Sequence, residues 1–198
     1  MKKYLLILVT ISFFLIVNTN YYWEGKVGIA TIPIFIALVA IFFILLIILI
    51  VQFVKGLNEN FHNRNRIWTI VILLLSLILI FIKPYGWIDF DRLEGDDVLI
   101  AQREGAVNCM TTLKIKSNNI FREKDVCFGV SVTTGKYKIK NDTIYFLDVS
   151  IPKHKKDFYE YAIIKKSKFS DEDAIFRYKN KNDSLGQELW IVKNKLKK

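Results

Sequence analysis

The chain has 198 residues, 52% of them hydrophobic, yet carries 29 basic against 19 acidic side chains, a formal charge of +10. One soluble domain does not combine such apolarity with such charge; two regions of different character do. The first 88 residues are almost wholly apolar and the remainder is mixed and lysine-rich, which excludes a single globular enzyme fold spread over the whole length.

Three apolar runs come first, at residues 4–17, 27–54 and 67–82, and none contains Asp, Glu, Lys, Arg or His. A bilayer core of roughly 30 Å takes about 20 helical residues. The second run is ample. The third is short, but Lys83 can snorkel and Tyr85 and Trp87 can sit at headgroup depth. The expected helices are about 4–22, 28–54 and 67–85, all transmembrane. MKK before the first run also resembles the start of a signal peptide. NTNYYW after Val17 offers no small-x-small cleavage site, which favours a retained helix.

Orientation follows from the flanks. Lys2 and Lys3 precede the first run, and Lys55, Arg64 and Arg66 outnumber Glu59 in the loop between the second and third; the first loop balances Lys26 with Glu24. The positive-inside rule places the N-terminus and residues 55–66 in the cytoplasm and everything after the third helix outside. The expected location is the inner or cytoplasmic membrane, with an extracytoplasmic C-terminal domain. Uncharged spans offer no proton relay, ion path or transport site; they read as an anchor or packing module.

Residues 89–97 form an acidic linker, with Asp89, Asp91, Glu94, Asp96 and Asp97 in a spacing that fits no EF-hand loop. Residues 98–198 then show short alternating segments between turn signals, the pattern of an all-β domain. Strands are expected at 98–103, 106–116, 120–123, 126–132, 158–165, 174–179 and 188–193. The clearest hairpin is GKYKIKNDTIYFL, residues 135–147. Asn141-Asp142 as a two-residue turn pairs Lys140 with Thr143, Ile139 with Ile144 and Tyr137 with Phe146. The fold class is therefore membrane α plus all-β: three transmembrane helices before a small antiparallel meander or barrel-like domain.

The spacing of Gly135, Tyr137, Ile139, Thr143 and Ile144 resembles a hairpin of lipocalin-like domains in bacterial envelope proteins. The whole chain is similar to bacterial integral membrane proteins that carry a few helices and a C-terminal domain of this kind. The resemblance implies a β cup and, with it, a ligand site; it carries no functional residues across.

Chemistry-bearing residues are sparse. His62 and His154 fall on opposite sides of the expected membrane, and His154 with Cys109 and Cys127 has no zinc spacing. There is no phosphate-cradling glycine loop. No catalytic residue, cofactor or metal is expected, and the chain is not read as an enzyme. Lysines spread along the tail read as a solvated surface rather than a nucleic-acid patch. Lys153, Lys155 and Lys156 can touch lipid headgroups or an acidic partner; as a plain exposed loop they need no function.

Both cysteines lie in CMTTLKIKSNNIFREKDVC. If Ser117-Asn118-Asn119 is a three-residue turn, Ile115 faces Phe121 and Cys109 faces Cys127, within disulfide reach in a compartment where disulfides persist. The same register sets Leu113 against Glu123, a poor match. Phe121 also has opposite parity to Val126 and Phe128, so a bulge or second turn near residues 123–125 would send the sulfurs to opposite faces and leave free thiols. The functional expectation is a membrane-anchored β-sheet binding or interaction module, its partners the bilayer and a membrane or envelope protein. The alternative is a lipocalin-like carrier of an apolar small molecule or lipid.

Overall fold

The computed structural model describes residues 2–152 and 155–196. Contacts divide the chain into two compact units, residues 1–23 with 32–89 and residues 24–31 with 90–198.

The first unit is helical. Helix α1 (Lys2–Asn18) is followed by α2 (Asn20–Val27), and the two are bent by 71°. Helices α3 (Thr31–Asn58) and α4 (Arg64–Ile82) complete the apolar set. Two of these are long and apolar enough to cross a membrane, or three if the bent pair counts as one span. The single helix expected at 4–22 is thus interrupted at Thr19, whose hydroxyl and backbone N–H both bond to Leu15 O. Phe13 and Val17 of α1 pack with Leu45 of α3 and Leu73, Leu77 and Ile80 of α4. Outward side chains such as Ile36, Ile47 and Phe81 are exposed aliphatics or aromatics. The helix set is thus apolar both inside and on its outer surface. Asn63 caps α4 by accepting from the backbone N–H groups of Asn65 and Arg66, satisfying two of its free donors. Past its far end, Lys83 lies over the Trp87 ring at 5.8 Å, and the Trp87 indole donates to Leu79 O.

The second unit is a closed antiparallel barrel of eight strands in sequence order: β1 (Asp97–Glu104), β2 (Met110–Lys116), β3 (Ile120–Val126), β4 (Val130–Lys140), β5 (Thr143–Ser150), β6 (Tyr161–Lys166), β7 (Asp173–Tyr178) and β8 (Gln187–Asn194). Closure removes the exposed edges of a sheet. The interior is made by alternate residues, among them Leu99, Ala101, Leu113, Ile115, Phe121, Ile144, Phe146, Ala162, Ile175 and Leu189. Eight strands leave a lumen just wide enough for side chains to fill or for one small ligand.

The β4–β5 hairpin has the expected pairs Tyr137 with Phe146, Ile139 with Ile144 and Lys140 with Thr143. Asn141 and Asp142 both take positive φ, as a type I′ turn requires. Several strand boundaries differ from expectation. The chain does not turn at residues 123–125: β3 continues to Val126, the turn falls at 127–129, and residues 130–140 are one strand, β4. The strand expected at 106–116 starts only at Met110, after a 3-10 turn at Ala106–Asn108, and the one expected at 158–165 starts at Tyr161. Gly135 lies inside β4 at a register shift against β5. A Cβ there would come within 2.6 Å of the Phe121 ring and 2.7 Å of Leu147 O, so only glycine lets the ring approach.

Residues 24–31 join this unit rather than the helices: Gly25 lies directly against Val132, Gly28 bridges to Val130, and Glu24 pairs with Lys124 at 3.0 Å. The acidic linker is also partly packed. It contains the short helix α5 (Phe90–Leu93), and Asp91 and Asp97 converge on Lys114 and on the fully buried Lys116 of β2. Lys116 donates also to the backbone oxygens of Asp91 and Gly95. Burial pushes the Asp91 carboxyl up, but hydrogen bonds and attraction from Lys114 and Lys116 outweigh it and hold the group below the ordinary carboxylate range.

Candidate charged site in the barrel

Pairing of β2 with β3 runs without a shift from Met110 opposite Val126 to Ile115 opposite Phe121. One step further the same register brings Cys109 opposite Cys127, and the two form a disulfide with Cα atoms 4.5 Å apart. The mismatch of Leu113 with Glu123 is therefore real pairing, and the question becomes what Glu123 meets inside the barrel.

It meets Arg177. Glu123 lies on the inward face of β3, two residues from Phe121, and Arg177 lies on the inward face of β7, two residues from Ile175. Their side chains are 1% and 2% exposed and form an ion pair across the lumen. The guanidinium also donates to Gln187 Oε1, which accepts from the Tyr159 hydroxyl as well, and it lies 4.2 Å from the centre of the Tyr159 ring. Burial, and then the like charge of Arg103, pull Arg177 down to about 9, still high enough to stay charged at neutral pH. Burial pushes the Tyr159 hydroxyl up, so it remains a neutral donor.

Lys155 and Phe158, from the connection between β5 and β6, reach these residues. Phe158 stacks on Phe121 at 5.3 Å and packs edge-on against Phe146 at 5.3 Å, occupying the apolar part of the lumen. Lys155, three residues before it, pairs with Glu123 at 3.0 Å and with Asp125 at 2.7 Å. The lumen is thus apolar in one part and charged in another, where Glu123, Asp125, Lys155 and Arg177 gather, with the exposed Arg103 of β1 near enough to act on Arg177.

Of the lysines singled out from the sequence, Lys155 is held by these two carboxylates, Lys156 is exposed, and Lys153 lies outside the described residues, as does His154. Glu123, Arg177, Thr133 and Tyr159 were not singled out. The available signal was a pair of acids in β3, Glu123 and Asp125, at the inward parity of Phe121, and a single arginine in β7 at the inward parity of Ile175. Among the described residues no group of three or more His, Cys, Asp and Glu side chains has the arrangement of a metal site.

Comparison with family models, curated proteins and solved structures finds no match. The fold and the charged lumen therefore carry the functional reading by themselves.

Proposed function

We propose that this chain is an integral membrane protein whose apolar helices anchor an extracytoplasmic β-barrel that serves as a binding or interaction module. The observation that carries it is the joining of a closed eight-stranded barrel, with charged groups held inside it, to helices that are apolar on every face. A buried ion pair costs several kcal/mol of desolvation per charge and adds little stability over aliphatic packing. Retaining one inside a small barrel points to use of the charge rather than to stability.

A second reading, a lipocalin-like carrier, is favoured by the closed barrel itself. Phe158, Phe121 and Phe146 already fill the apolar part of its lumen. A carried molecule would therefore have to engage the charged end or displace Phe158.

Native mass spectrometry of the full chain, extracted from membranes in mild detergent, separates the readings. A retained protein partner supports the interaction module and a retained small molecule supports the carrier. Recovery of the chain in the soluble fraction without detergent would overturn the anchoring common to both.

A further inference from the structure

The charged end of the barrel is not self-neutralised. Among the described residues, three cations, Arg103, Lys155 and Arg177, face two carboxylates, Glu123 and Asp125. Both carboxylates are taken: Lys155 bridges them, and Glu123 also meets Arg177. Arg103, on the inward face of β1 two residues beyond Ala101, has no acidic partner among the described residues, yet lies close enough to Arg177 and Tyr159 to act on both electrostatically. The nearby Asp157 is engaged by Lys179 at 2.9 Å. Apart from Arg177 Nη1 and Glu123 Oε2, which face each other in the ion pair, the buried Arg177 Nε–H and the hydroxyl of Thr133, the cross-strand neighbour of Glu123, are without hydrogen bonds.

We propose that this end of the barrel binds a monoanionic oxyacid group, a carboxylate or a phosphodiester, held between Arg103 and Arg177 with the Thr133 hydroxyl as a further donor. An added single negative charge balances the three cations against three anions. It also relieves the repulsion between the two guanidiniums, which present planar donor pairs suited to oxyanions. Burial is the main cause of the Arg177 depression, and the like charge of Arg103 adds to it. This inference rests on the barrel being a binding module and names the chemistry its lumen selects.

The test is an NMR titration of the full chain in neutral detergent, with ¹⁵N-labelled arginine, following the Arg177 Nε–H resonance. Probes are acetate and dimethyl phosphate, with chloride at equal ionic strength as control. The expected result is a saturable shift with either oxyanion and not with chloride, weakened about tenfold or more in Arg103→Gln, the loss of one charge-assisted contact. Arg103 is exposed, so this variant leaves the barrel core untouched. A shift with nanodiscs containing phosphatidylglycerol but not with those of phosphatidylcholine alone, and none with the soluble probes, would assign the same group to a lipid headgroup. Shifts that match chloride in every arm, or an affinity unchanged in Arg103→Gln, would overturn the proposal. If native mass spectrometry still retained a protein or a neutral ligand, only the anion assignment would fall.

Discussion

Glu123 stands between Phe121 and Asp125 on the inward face of β3 and Arg177 beside Ile175 on that of β7; each offsets the other's buried charge, and Lys155 is a further partner of Glu123. Removing one partner strands a buried charge; removing both together does not. Arg177→Met alone is therefore expected to lower stability by about 3–5 kcal/mol, whereas Glu123→Leu with Arg177→Met should sit close to the parent. Chemical denaturation of the four proteins of that cycle checks it, and additive losses would contradict the pairing. In the sequence Glu123 looked like an error of register, because it fell opposite Leu113. Pairwise hydrophobic matching fails at such a position because the compensating charge comes from β7, more than fifty residues away, and strand alternation does not reveal which strands face across a lumen.

Asp91 sets the pH response at this scale. Its carboxyl is held below its ordinary value, so the folded state binds its proton less readily than the unfolded chain. The stability it contributes is complete above the ordinary carboxylate range and is lost as the pH falls through the depressed value. Thermal melts should therefore show the barrel weakening below about pH 4, and Asp91→Asn should flatten that acid limb. An acid limb unchanged in Asp91→Asn would refute the assignment.

Among elements, the β4–β5 hairpin was legible because its signals are local: Asn141-Asp142 supplies the two positive φ values, and alternation around them fixes the register. The β3–β4 boundary was not, since Glu123, Lys124 and Asp125 look like a turn by composition while Asp125 and Glu123 are drawn inward by Lys155 and Arg177. The cysteine pair follows from the unshifted β2–β3 register and staples the open ends of those strands. Its loss in Cys109→Ser with Cys127→Ser is expected to cost about 3 kcal/mol, as for a loop of this length, measurable by denaturation. The seam of β5 with β6 is the barrel's shortest, with three residue pairs from Thr143–Ile163 to Tyr145–Tyr161. Backbone amides along it should exchange with solvent before those of β3–β4, where seven pairs close the ladder. Hydrogen exchange with equal protection at both seams would contradict that order.

For the whole molecule, hydropathy alone separated an apolar helical part from a β part, because helices apolar on all faces and strands of a barrel impose different periodicities. What it could not separate was the chain's real division. Residues 24–31 lie between two apolar helices in sequence, yet Gly25, Gly28 and Glu24 contact β3 and β4 of the barrel unit. Such long-range contacts through glycine leave no hydropathy signal. The charged lumen was illegible for a similar reason: its members come from β1, β3, β4, β7 and the β5–β6 connection and meet only on closure.

The central claim is that the helices anchor the barrel on the outer side of the membrane. Paired fusions test it most directly, with alkaline phosphatase and a cytoplasmically fluorescent protein placed in turn after Glu59 and after Lys198 of the full chain. The account predicts fluorescence without phosphatase activity at Glu59, and phosphatase activity without fluorescence at Lys198. Fluorescence at both positions, with phosphatase silent at Lys198, would contradict it.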